Sequence, residues 1–382
     1  MRRHDLDWLR VIVFALLIFY HVGMFFVPWD FHIKNNYIYD WLTYPMWFLN
    51  QWRLPILFIV SGMGTYYALQ KRSGKQFVFE RIKRLFIPLT FGMLFVIPPQ
   101  VYIERLTKNQ FTGHYFDFWP LEAFTGVYHN GNLSWHHLWF LPYLLLFSLV
   151  LIPVFLYLKN RPQNNFNSWL RRIVKSPLKI YLFIVPLYLT EALIEPFFDI
   201  THALIGDWFT IINYIIMFLF GFLLITVKDT FWITVEKHRK LFLIAGLACF
   251  SIMLFIVETY EDSIYRHFIE AFLKVFNLWS WILALFGFAS KYLNRKSKIL
   301  IYCNEAVYPF YILHQTIMMV IAYYIMNLEW SFGLKASIML VGTFGFSWLI
   351  YESLVRRWKY VRPLFGLKKK DNSKSTKRQH RV

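Results

Sequence analysis

"DLDWLRVIVFALLIFYHVGMFFVPWD", Asp5 to Asp30, is the stretch whose reading decides the fold. After Asp7 it is an apolar run long enough for a bilayer core, with Arg10 and His21 as its only basic side chains. Eleven residues separate them, a helical rise of about 16 Å. Eleven steps of 100° end only about 20° past three full turns, so the two share one helix face. Ionisable groups inside a membrane are costly and mark functional positions by default. The plainer alternatives are a topological anchor for Arg10 and a satisfied interior histidine for His21.

The rest of the chain repeats the apolar pattern. It has 382 residues, 57% hydrophobic and 21% aromatic, with only 16% charged, against about a quarter in soluble proteins. Runs bounded by charges predict an all-α polytopic membrane protein with ten helices, over 8–27, 45–69, 85–103, 137–158, 178–198, 209–227, 241–257, 268–290, 305–327 and 334–354. The first run is too long for a cleaved signal peptide and has no small-residue cleavage site after it. A long polar and aromatic loop, 104–136, follows the third helix. Cys249 and Cys303 form no disulfide framework, and the sequence has no metal-ligand spacing.

Lysine and arginine fall unevenly between alternate loops. Of 41, 33 lie in the two ends and the loops on their side, five in the opposite loops, and three (Arg10, Arg53, Lys274) within spans. The positive-inside rule makes both termini cytoplasmic in a multi-pass membrane protein. The net charge of +19 then reports orientation and contact with the lipid bilayer, with no nucleic acid partner implied. Residues 1–365 form the membrane domain, and 366–382 a basic, disordered cytoplasmic tail near anionic lipid.

Other polar positions within or beside the spans are candidates. Arg53 precedes Leu54-Pro55 in "NQWRLPILFIVSGMG", where it lines an outward cavity or snorkels to headgroups. Ser61, Gly62 and Gly64 allow close helix approach. Arg81 and Arg84 in "ERIKRLFIP" are three apart on one face and suit phosphates, or merely orient the span. His136 and His137 enter the fourth span near the depth of His21. Tyr311, His314 and Gln315 sit mid-membrane in "NEAVYPFYILHQ", and Glu191 and Glu195 form an i,i+4 pair near the outer end of the fifth span.

No Gly-x-Ser-x-Gly elbow, P-loop or His-Glu-x-x-His occurs. The stretches "LDWLRVIVFALLIFYH", "RLPILFIVSGM", "ERIKRLFIP", "HHLWFLPYLLLF" and "NEAVYPFYILHQ" occur in an order that resembles the acyltransferase-3 family of integral-membrane O-acyltransferases. The likeness covers about 5–365 and is nearest the branch that succinylates periplasmic glucans. It implies transfer of an acetyl or succinyl group from cytoplasmic acyl-CoA, a donor substrate and not a bound cofactor, to a hydroxyl of an extracytoplasmic glycan of the cell envelope. His21 matches the family's essential histidine and Arg10 its companion arginine. Arg81 and Arg84 match the pair associated with CoA, and Ser61 with Gly62 the small pair of the second span. His136 or His137 and His314 match recurrent polar positions.

His21 is then expected to be the general base, with an acyl-histidine intermediate as the rival route. Arg53, His137 and Tyr311 are candidate oxyanion donors, and Arg53 could pair with a succinyl carboxylate. Some family members carry a hydrolase-like domain after the last helix. This sequence shows none, which implies that it delivers acyl groups alone or to a separate glycan-assembly partner. A proton-coupled transporter or glycolipid flippase, with Glu191, Glu195 and His314 as relay, is the alternative reading.

Overall fold

The computed structural model describes residues 3–161 and 164–369. Most of the tail predicted over 366–382 lies outside the described residues. Within them no sheet forms, and only an isolated bridge joins Val127 to Leu133. The helices are α1 (His4–Met24), α2 (Thr43–Leu69), α3 (Gly74–Thr107), α4 (Phe140–Val150), α5 (Ile152–Asn160), α6 (Asn165–Lys175), α7 (Ile184–Leu193), α8 (Trp208–Thr226), α9 (Lys228–Thr259), α10 (Ile264–Tyr292), α11 (Lys298–Ile325) and α12 (Phe332–Ile350).

Among the described residues, eight segments are long and apolar enough to cross a membrane, and a ninth if the bent His136–Val150 and Ile152–Asn160 pair is one span. The chain is thus an all-α, multi-pass membrane protein. The predicted second span is helical throughout α2, but Arg53, Pro55 and the tyrosines 66 and 67 keep it less apolar than the others. The predicted fourth span is broken by 50° at Leu151. Pro153 follows at once and cannot donate into the preceding turn. Residues 228–240, predicted as a loop, belong to α9. They contain no glycine or proline, and charge alone does not end a helix. The third span contains a π turn at Gly92–Val96, closed by the Ile97 N–H donating to Gly92 O at 2.8 Å.

Contacts divide the chain into two compact units. The first comprises residues 1–20, 39–79 and 142–304. In it α2 packs against α8 with backbones nearly touching. A Cβ on Gly62 would lie 2.0 Å from Phe218 O, and one on Gly221 would lie 1.9 Å from Ile59 O. Small residues permit this approach where lipid gives no hydrophobic drive. Helices α9 and α10 form the unit's other long pair. The second unit comprises residues 21–38, 80–141 and 305–382. Its core contains Phe25, Phe26, Val101, Leu138 and Ile312, all buried. Gly366, at φ +69°, ends a short helical turn where a Cβ would strike the Tyr308 ring.

Candidate active site

In the second unit four predicted residues come together: His21, His137, Tyr311 and His314. His21 Nδ1 lies 2.8 Å from His314 Nε2, and the two rings stack at 5.0 Å. His314 Nδ1 lies 2.8 Å from Tyr311 O and 3.2 Å from Phe310 O. A carbonyl only accepts, so His314 Nδ1 carries the proton. Its Nε2 then accepts from His21 Nδ1–H. The lone pair of neutral His21 is consequently on Nε2. This is the arrangement in which a second group fixes the tautomer of a base.

The support beneath this pair is fully hydrogen-bonded. His137 Nε2 donates to Tyr311 O and Ile312 O, both at 3.1 Å. Its Nδ1 is 3.4 Å from Gln100 Nε2. Gln100 also donates to Thr316 Oγ1 at 2.6 Å and accepts from Gln315 Nε2 at 3.1 Å. The Tyr311 hydroxyl donates to His137 O at 2.6 Å. Both candidate oxyanion donors of this unit therefore spend their hydrogens on backbone carbonyls. Gln315 was expected mid-membrane, whereas Gln100 and Thr316 were not singled out in the sequence, because they meet across more than 200 residues between α3 and α11.

Arg81 is half-buried and Arg84 exposed at the start of α3. The Tyr308 hydroxyl donates to Arg84 O at 3.0 Å, tying this turn to α11. His136 takes no part in the imidazole pair. It stacks on His32 at 4.1 Å, while His137, one residue on, faces His314.

The first unit holds Arg10, Arg53, Ser61, Glu191 and Glu195. Arg10 donates to Asn304 Oδ1 at 3.2 Å and pairs with its i,i+3 neighbour Asp7 at 3.7 Å. It lines a cavity of about 730 Å³ with Arg3, Asp7, Gly64, Lys71, Arg72 and Lys228. Five of the thirteen lining residues are cationic. Lys71, Arg72 and Lys228 read in the sequence only as loop charge. That they converge on Arg10 is a tertiary fact.

Arg53 corrects its expectation. It does not snorkel but is 2% exposed, with its guanidinium 3.5 Å over the Tyr20 ring. Its Nε and Nη1 have no hydrogen-bond partner. Ser61 is half-buried one residue from the Gly62 contact. The predicted Glu191 and Glu195 pair is also corrected. Glu191 is in α7 and meets Lys274 Nζ at 2.9 Å, whereas Glu195 lies in the following 3-10 turn. Pro196 disfavours helix at the residue before it.

A His-x4-Asp spacing, as in glycerolipid acyltransferases, is present at His202 with Asp207. The buried Asp207 carboxylate accepts from the His202 N–H at 3.0 Å and from the Tyr143 hydroxyl. Burial pushes the His202 imidazole down to about 4, against the raising charge of Asp207.

These groups sit within a family-wide match. The acyltransferase domain family model matches residues 3–352, so the chain belongs to that family. Similar curated proteins include the glucans biosynthesis protein C of Salmonella paratyphi B, Salmonella heidelberg and Salmonella schwarzengrund. Each is 25% identical over 171 residues, 43% of this chain and 42% of the relative. The match thus spans less than half the length of these relatives. No solved structure matches the chain.

Proposed function

We propose that the protein is an O-acyltransferase of the bacterial cytoplasmic membrane, with both termini cytoplasmic. It moves an acetyl or succinyl group from cytoplasmic acyl-CoA to a hydroxyl of an extracytoplasmic glycan. The observation that carries the reading is the His21–His314 pair in a member of an acyltransferase family. His314, held by Tyr311 O, orients His21 with Nε2 as the basic atom. Its near-neutral intrinsic pKa suits a base at physiological pH.

In the proposed step His21 Nε2 takes the proton of the acceptor hydroxyl as the oxygen attacks the thioester carbonyl. The tetrahedral intermediate collapses, the C–S bond breaks, and the imidazolium returns the proton to the departing thiolate. The cavity lined by Arg3, Arg10, Lys71, Arg72 and Lys228 has the charge and volume for the phosphate-bearing end of CoA. Arg10 and His21 are on one unbroken helix, α1. Arg81 and Arg84 are the second candidates for the phosphates. A relative's name, glucans biosynthesis protein C, supports a glucan as the acceptor. A separate glycan-assembly protein is a further proposed partner.

Glycan mass spectrometry of cells with and without the gene tests the reading. The expected result is the loss of an acetyl or succinyl mass from a sugar when the gene is deleted, restored by wild-type protein but not by His21→Ala. An unaltered envelope glycan profile would remove it.

A further inference from the structure

One cluster in the second unit is absent from the proposed chemistry. His32 lies in the segment after α1, Glu104 near the end of α3, and His136 at the close of the long loop. One ligand atom from each lies within 4.8 Å of the other two. Glu104 is 1% exposed and His136 8%. His32 Nδ1 is 2.8 Å from Glu104 Oε2. The other carboxylate oxygen, Oε1, accepts from Lys108 Nζ at 2.7 Å and from the Tyr128 hydroxyl at 2.9 Å.

An ordinary hydrogen bond accounts for His32 and Glu104. It does not account for His136. Both His136 ring nitrogens are buried and neither has a hydrogen-bond partner. Buried polar atoms nearly always find partners, and leaving an N–H unmade costs roughly 1–3 kcal/mol. A neutral imidazole has one nitrogen lone pair, and a metal ion is the partner that would use it. Two imidazoles and one carboxylate are the protein donors of an open tetrahedral zinc site, the fourth position remaining for water or a hydroxyl. Tyr128 and Lys108 hold the far carboxylate oxygen, as outer groups do around metal-bound carboxylates.

We propose that His32, Glu104 and His136 bind one divalent transition metal ion, with zinc the best match to the donor set. Metal–donor lengths near 2.1 Å in a tetrahedron put donors about 3.4 Å apart. His32 and Glu104 therefore separate by about half an ångström on binding. The imidazoles, stacked at 4.1 Å and nearly parallel, hinge open to point at one centre. Phe31 touches both His32 and His21, with ring centroids at 5.2 and 6.2 Å. The metal site is thus one aromatic ring away from the proposed base. Its ligands come from positions 32, 104 and 136, so no short spacing motif announces it.

The test needs no acyl transfer. Full-length protein in detergent is stripped with chelator, dialysed against micromolar Zn²⁺, and its metal counted. Co²⁺ is then used as a spectroscopic probe of tetrahedral coordination. The expected result is one ion per chain and visible tetrahedral Co²⁺ bands. His136→Ala and Glu104→Gln should each weaken affinity at least about a hundredfold, and Tyr128→Phe about tenfold. His136→Gln replaces the alanine variant if size-exclusion chromatography shows the latter misfolded. Trace metal only in the wild type, or affinity unchanged in the folded variants, would overturn the proposal.

Discussion

The imidazole pair and the basic cavity are built on opposite principles. Around His21 and His314, hydrogens are committed to backbone carbonyls, and the glutamine–threonine network beneath leaves little freedom. Around Arg10, cations line open volume: Arg10 is held by Asp7 and Asn304, and Arg3 by an ion pair with buried Asp5 and by the Trp232 ring at 3.8 Å. The first arrangement fixes a proton's position. In the proposed function, the second receives the phosphates of the donor. A preorganised base acts in the transition state, whereas a cationic cavity binds donor and transition state alike. Substitutions in the two regions should therefore separate into kcat and KM effects.

The largest effect is expected at His21. His21→Ala should lower kcat about a thousandfold, within the range for loss of a general base, and leave the donor KM nearly unchanged. Acyl-transfer kinetics in proteoliposomes measure both. His314→Ala should lower kcat by about ten- to a hundredfold, because the ring of His21 remains but its tautomer is no longer set. His314→Gln, whose carbonyl can still accept from His21 Nδ1–H, should recover part of that loss. A purely structural role for His314 would give no such recovery.

In the cavity, Arg72→Ala should raise the donor KM about tenfold at constant kcat, the worth of one charge-assisted contact. The Arg81→Ala, Arg84→Ala double variant separates the two phosphate proposals. A larger KM increase there than at Arg72 would transfer the CoA end from the cavity to α3.

The smallest effect concerns pH. The His202 pKa of about 4 lies below the ordinary 6.5. The folded state therefore holds it neutral while the unfolded chain begins to protonate below 6.5. Stability is intact above that pH and declines as pH falls toward 4. The unfolding midpoint of the wild type should fall between pH 7 and 4.5, and His202→Gln should flatten that decline.

The helices were legible because apolar runs and charge boundaries are local signals. The break at Leu151 had a local cue in Pro153, and the end of α7 had one in Pro196. The continuation of α9 through 228–240 did not, because a charged helix projecting past an apolar segment looks like a loop to hydropathy. Arg10 with Asp7 was readable from an i,i+3 spacing. The pairing of His21 with His314 joins residues 293 apart, and no periodicity encodes it. The same limit hid the convergence of Lys71, Arg72 and Lys228, which loop counting had assigned to orientation. Burial of Arg53 over Tyr20 was equally invisible, since an arginine near a span end has the same sequence signature whether it faces lipid or core.

The division between chemistry and donor binding is tested most directly by equilibrium binding of acyl-CoA to purified His21→Ala beside the wild type. The account predicts wild-type donor affinity in a variant that transfers almost no acyl group. Loss of donor affinity in step with loss of turnover, in a folded variant, would contradict it.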